Sequence, residues 1–201
     1  MNIAIFGAGI AGLTCATTLR KQGHHCAVYE RDRLAHDAGM GFILMPEAIA
    51  SMDRLGILLT GDSSGVPLER YICRDIAGKV LYEEAMPPGS RSIRRRELIS
   101  ALVHAAEINN AIRFDAGLAS LEFDEQGHAT AAVLSSGERI AADLFVGADG
   151  VRSRARQALF PNWPAHRARV LEVVGLVRCA KTTHWAKHNL NKFHAAKGGL
   201  A

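Results

Sequence analysis

Gly7-Ala8-Gly9-Ile10-Ala11-Gly12 sets three glycines at the first, third and sixth places of a turn, between the apolar run Asn2 to Phe6 and a helical run from Ala11 to Gln22. Nothing else in the chain constrains its fold as tightly. The first glycine permits the tight turn, the second lets a pyrophosphate approach the backbone, and the third lets helix and strand pack closely. Leu13, Ala16 and Leu19 recur at helical spacing, Gly23 stops the helix, and a second apolar run, Cys26 to Tyr29, ends at Glu30. The connection is too long for a hairpin and has the length of a crossover helix, so the unit reads as right-handed and parallel. Free N–H groups at the helix mouth, with the positive end of its dipole, suit phosphates. Glu30 stands where a carboxylate accepts hydrogen bonds from a ribose. The expectation is a dinucleotide site formed by Gly7, Gly9, Ile10, Ala11, Gly12 and Glu30. Because Glu30 would repel a 2′-phosphate, NADP is not expected in this first site, and NAD and FAD remain.

Composition narrows the partners. The 201 residues are 48% hydrophobic and 22% charged, enough for one core and a small second lobe. A net charge of +4 favours anions, and a nucleotide cofactor satisfies this as well as nucleic acid would. The arginine-rich stretches Arg94 to Arg96 and Arg152 to Arg156 lack interleaved aromatics, so no nucleic-acid partner is expected. Cys15, Cys26, Cys73 and Cys179 are dispersed, which argues against a disulfide framework and a closed zinc site. Cys179, His184 and His188 lack a suitably spaced fourth ligand, so no metal is expected. No apolar run approaches the roughly 18 residues of a membrane span, and no basic leader precedes the first strand, so the expected location is cytoplasmic, with no membrane partner.

Further along, 37–42 reads as a Gly-rich loop, and Pro46 starts a helix with Ile49, Met52 and Leu55 on one face. Leu68 to Glu84 reads as a hairpin turning at Asp75 to Gly78, the start of a second sheet. Arg95 to Ala106 is helical, Ile112 to Phe114 a short strand, and Leu118 to Asp124 with Ala129 to Leu134 a meander. Asp143 to Val146 is a strand running into Gly147-Ala148-Asp149-Gly150. The tail, Thr182 to Ala201, is polar and has little to pack. The expected fold is α/β: a Rossmann-like FAD/NAD(P)-binding fold with a partial second β-sheet. Residues 1–66 and 90–163 form the nucleotide-binding unit, 67–89 begin the second sheet, and 164–201 form a poorly determined C-terminal segment.

Several motifs then converge. Asp149, Gly150, Ser153 and Arg156 satisfy D-G-x-x-S-x-x-R after an apolar strand. With Tyr29-Glu30-Arg31, Gly39-Met40-Gly41-Phe42-Ile43 and Arg95-Arg96-Glu97-Leu98, the stretch from Met1 to about Pro161 resembles the FAD-dependent monooxygenases of the para-hydroxybenzoate hydroxylase type, the flavoprotein aromatic hydroxylases. The resemblance implies that Gly7, Gly9 and Gly12 line the FAD pyrophosphate, that Glu30 holds the adenosine ribose with Arg31 beside the ribose or adenine, and that Arg95 reaches the FAD. It implies that Asp149 contacts the flavin-side nucleotide and helps the site meet NADPH. A simple helix N-cap is the bland rival for Asp149, and a solvated arginine face for Arg95. The implied chemistry is reduction of FAD by NADPH or NADH, then oxygen-dependent hydroxylation of a small aromatic substrate. The hard step belongs to the cofactor, so no catalytic side chain is assigned.

The chain lacks the Gly-Asp-Ala motif of the family's later half; Gly61-Asp62-Ser63 lies in an early loop. The resemblance therefore implies that the second sheet, begun by 67–89, is the start of the substrate-domain sheet and the remainder of a truncated substrate domain. Three readings follow: a partial monooxygenase keeping its ADP-binding half, a full enzyme completed by a separate chain or a homo-oligomer, and a nucleotide-binding module without turnover. Unpaired strand edges would favour association.

Overall fold

The computed structural model describes residues 1–33, 41–59, 65–105, 111–163 and 188–194. A four-stranded parallel sheet organises the nucleotide-binding part, in the order β12-β1-β2-β8, from β1 (Asn2–Phe6), β2 (His25–Tyr29), β8 (Ile112–Arg113) and β12 (Leu144–Gly147). Helix α1 (Ile10–Lys21) carries the chain from β1 to β2, whereas β12 pairs with the other side of β1, Ile3 opposite Leu144 and Phe6 opposite Gly147. The strand order therefore reverses at β1, and a crevice opens beyond the carboxyl ends of β1, β2 and β12, where open α/β sheets bind ligands.

Alternation along β1 divides the core in two. Ile3 and Ile5 join Leu13 and Ala16 of α1 and Leu98 and Leu102 of α3 (Arg95–Ala105), all nearly or wholly buried. Ala4 and Phe6 join a second cluster with Leu118, Ala132, Leu134 and Ile140. This is the period of two of a strand buried on both faces. Each fully buried large aliphatic side chain contributes about 1.5–3 kcal/mol. The second cluster is built by the expected meander: β9 (Leu118–Phe123) and β10 (Ala129–Leu134) pair antiparallel, and β11 (Arg139–Ile140) adds a third strand. Arg113 of β8 donates to both oxygens of Glu138 at 2.8 and 2.5 Å, tying the parallel sheet to the meander and holding the Glu138 carboxyl below the usual range.

Two smaller sheets account for the remaining strands among the described residues. One has the order β3-β7-β4, from β3 (Gly41–Leu44), β4 (Val66–Pro67) and β7 (Arg91–Arg94). Between β3 and β4 runs α2 (Pro46–Arg54), with proline in its first turn as expected. The other has the order β13-β5-β6, from β5 (Arg70–Asp75), β6 (Val80–Ala85) and β13 (Asn189–His194). The last helix among the described residues is α4 (Arg154–Leu159).

Two expectations need correction, and one strand was not foreseen. Gly41 and Phe42, read as loop, belong to β3, because Phe42 pairs with Ile93 and packs on the first core; residues 37–40 lie outside the described residues. The run Arg91 to Arg94, given no element by the sequence reading, is the central strand of its sheet and is anchored by buried Ile93. The polar tail does pack in part: Asn189 to His194 lies parallel to β5, and Arg74 donates to Asn191 Oδ1 at 3.0 Å. Cys179, His184 and Gly61-Asp62-Ser63 lie outside the described residues. Among the described residues, no helix is long and apolar enough to cross a membrane, and no group of three His, Cys, Asp or Glu side chains could hold a metal.

Candidate functional site

The Gly-rich turn joins β1 to α1, and its three glycines do three different things. Gly7 has φ +109°, and a side chain there would collide with the Ala148 carbonyl that follows β12. Gly12 is buried, and a β-carbon on it would strike the Gly7 carbonyl oxygen, so helix and turn meet without space for a methyl group. At Gly9, by contrast, the nearest atom to an added β-carbon would be Arg95 Nη2 at 3.9 Å. The room over Gly9 belongs to the crevice.

That crevice is a cavity of about 680 Å³, within the range of small-molecule and cofactor sites. Gly7, Gly9, Glu30, Arg31, Arg95 and Asp149 all line it. Ile10 and Ala11 do not: Ile10 packs on the first core and Ala11 is exposed at the start of α1. Gly12 acts on the site through packing alone. Sequence reasoning missed the far wall, Gly117, Leu118 and Ser135, which the meander brings in from a distance. The arginine count of the Asp149 loop was the visible signal for Arg152 and Arg154, which also line the cavity.

Electrostatics favour an anion. Helix α1 starts at Gly9 with no side-chain cap and no acidic residue in its first turn, so its positive end is left for a ligand. Five arginines face the cavity, Arg31, Arg95, Arg152, Arg154 and Arg156, against the carboxylates of Glu30, Asp32 and Asp149. Arg95 is set by the junction of β7 and α3, where its guanidinium lies 5.7 Å from the centre of the Phe42 ring and its buried Nε has no hydrogen-bond partner among the described residues. Glu30 ends β2 and turns back to the glycines: Oε2 accepts from Ala8 N–H at 2.7 Å and Oε1 from Asp32 N–H at 3.1 Å. Each oxygen keeps acceptor capacity for a ribose hydroxyl. Arg31 is exposed, with its Nε 3.6 Å from Asp32.

Asp149 carries the helix-capping role, whatever else it meets. Its Oδ2 accepts from Arg154 N–H at 2.6 Å and Ala155 N–H at 3.2 Å, while Ser153 Oγ accepts from Arg156 N–H at 2.9 Å. Arg156 Nη2 donates to the Val151 carbonyl at 3.1 Å, closing the loop that Gly150 turns. Three of the four motif residues thus lock the start of α4 against β12, where Gly147 leaves just enough room for Ala155. Asp149 Oδ1 remains buried and without a partner among the described residues. Replacing Asp149 with alanine is expected to lower stability by about 1 kcal/mol, the usual worth of a cap, readable in thermal or urea unfolding. An unchanged midpoint would mean that the cap does not hold α4.

Comparison with known proteins gives a consistent result. The family described as FAD binding domain matches residues 1–198. A kynurenine 3-monooxygenase of Salinispora arenicola is 34% identical over 175 residues, covering 79% of this chain and 38% of the relative. An FAD-dependent monooxygenase, atnJ, of Arthrinium sp is 30% identical over 166 residues, covering 80% of this chain and 38% of the relative. Among solved structures, a mutant 2-methyl-3-hydroxypyridine-5-carboxylic acid oxygenase superimposes with a TM-score of 0.65 at 28% identity, covering 79% of this chain and 42% of that one. The chain spans about two fifths of the length of these relatives.

Proposed function

This chain belongs to the FAD-binding domain family, and from that premise we propose that its crevice holds the ADP half of FAD in an aromatic-ring monooxygenase. The observation that carries the reading is the meeting, at the switch point of the sheet, of an uncapped helix mouth, open space over Gly9 and the buried Arg95 Nε, which has no partner among the described residues. A pyrophosphate supplies what each of these lacks: acceptors for the amides and a counter-charge for the guanidinium. Gly7 and Gly12 shape the turn, Glu30 accepts from the adenosine ribose, and Arg31 borders the ribose or adenine. Asp149, through the Oδ1 that has no partner among the described residues, takes a donor from the flavin-side nucleotide.

Bound FAD supplies the redox chemistry, taking electrons from NADPH or NADH and passing one atom of molecular oxygen to an electron-rich ring. The residues of this chain bind and orient. The amides at the α1 mouth and Arg95 fix the phosphates, the Glu30 carboxylate sets the ribose, and the meander closes the far wall against water. Residues 1–66 and 90–163 carry these duties, and 67–89 begin the sheet that covers the substrate.

Glu30→Gln tests the reading. Glutamine fills the same space but cannot accept at both oxygens, so it loses one charged hydrogen bond worth roughly 1.5–3 kcal/mol. FAD affinity should fall about tenfold or more, measured by quenching of flavin fluorescence. Unchanged affinity would remove Glu30 from the cofactor site.

A further inference from the structure

Arg113, the last residue of β8, is bonded to both walls of the crevice without lining it. On the near wall its carbonyl accepts from Glu30 N–H at 2.8 Å, and its guanidinium lies 5.5 Å from the centre of the Tyr29 ring, the last residue of β2. Two residues further on, Asp115 N–H donates to the Asp32 carbonyl at 3.2 Å, and Asp32 N–H is itself the donor to Glu30 Oε1. On the far side both Glu138 oxygens accept from the Arg113 guanidinium. Glu138 closes a tight turn, with Leu134 N–H donating to its carbonyl at 2.9 Å and Gly137 at φ +86°. That turn carries Ser135, whose N–H donates to the Gly117 carbonyl at 2.7 Å. Gly117 has no room for a side chain, since a β-carbon there would meet Arg31 Cβ at 2.8 Å. The stretch Glu30 to Asp32 and the wall of Gly117 and Ser135 are thus set against each other through Arg113.

We propose that Arg113, held by Glu138, is a positioning residue that presents the Glu30 carboxylate to the ribose hydroxyls of the bound nucleotide, an assignment that rests on the cofactor reading. β8 is only two residues long, paired to β2 through Val28 with Ile112 and Tyr29 with Arg113, too short a strand to fix its own place by backbone bonds alone. The tether to the meander supplies the missing constraint. A guanidinium fork that meets a carboxylate at two points fixes direction as well as distance, and stacking on Tyr29 holds it over the end of β2. The two side chains are 48% and 44% exposed, so the pair adds little to global stability. Its effect falls on the residue that Arg113 carries by its backbone, Glu30.

The test is isothermal titration calorimetry of the full chain with ADP and with its 2′,3′-dideoxy counterpart, which lacks both ribose hydroxyls. Wild type should prefer ADP about tenfold or more, the worth of a charged hydrogen bond. Glu138→Gln and Arg113→Met should each cut that preference about three- to tenfold, the range of coupling through a packed network. The double variant should lose no more than Arg113→Met alone, because the two side chains act as one unit. None of the three should alter affinity for the dideoxy ligand, and Arg113→Lys, which keeps the charge, should retain part of the preference. A merely structural pair would weaken both ligands alike. Equal losses for the two ligands, an undiminished preference in either single variant, or losses that add in the double variant overturn the proposal. Should Arg113→Met fail to fold, the preference in Glu138→Gln and Arg113→Lys decides. Wild type that binds neither ligand overturns the cofactor reading and this assignment with it; a wild-type preference for ADP that every variant keeps in full overturns this assignment alone.

Discussion

Gly9→Val is expected to cut FAD affinity by a hundredfold or more while leaving the unfolding midpoint nearly unchanged. Gly9 has an ordinary backbone conformation, φ −79°, so a β-branched residue fits there without strain. The new β-carbon would strike nothing among the described residues, since the atom nearest to it is Arg95 Nη2 at 3.9 Å, at the far end of a flexible side chain. The isopropyl group would instead occupy the space above the α1 mouth and hold the pyrophosphate away from the amides and from Arg95. Losing two charged hydrogen bonds at roughly 1.5–3 kcal/mol each corresponds to at least about a hundredfold. Flavin fluorescence titration and a thermal melt of the same sample separate the two effects. Retained affinity would show that the pyrophosphate does not cross Gly9.

Gly12→Ala should fail in the opposite way. Its β-carbon would press on the Gly7 carbonyl oxygen, a backbone atom held in turn by the pairing of β1 with β2 and β12. Neither side can give without parting helix from strand, so the expected cost is about 3 kcal/mol, the upper range of overpacking. In a chain of this size that lowers the midpoint by roughly 6–12 °C. Saturating FAD should return part of the loss, because ligand binding stabilises the folded state alone. A midpoint equal to wild type would contradict the close packing assigned to Gly12.

These two glycines show why part of the molecule was legible beforehand. The β1-turn-α1-β2 unit is local, and each glycine's task follows from its place in the turn, so residues 2–30 were readable from spacing alone. Asp149 was readable as either ligand contact or helix cap, and the capping bonds to Arg154 and Ala155 are now visible. What stayed hidden depends on distant pairing. Arg91-Ser92-Ile93-Arg94 shows one apolar residue in four, yet it forms a central strand because β3 and β4 arrive on either side of it. Asn189 to His194 reads as a polar tail and becomes a strand only beside β5, more than a hundred residues earlier in sequence. Gly117, Leu118 and Ser135 enter the crevice because Leu118 and Leu134 bury against Phe6 and Tyr29, a contact that no local pattern reveals.

The central claim is that the crevice at the end of β1 grips the ADP portion of FAD and not its flavin. Competition against bound FAD tests it most directly, with ADP and FMN as separate competitors and the FAD released into the filtrate quantified by chromatography. ADP should displace FAD, and FMN at the same concentration should not. Displacement by FMN with none by ADP would contradict the assignment of Gly9, Glu30 and Arg95 to the adenine dinucleotide end.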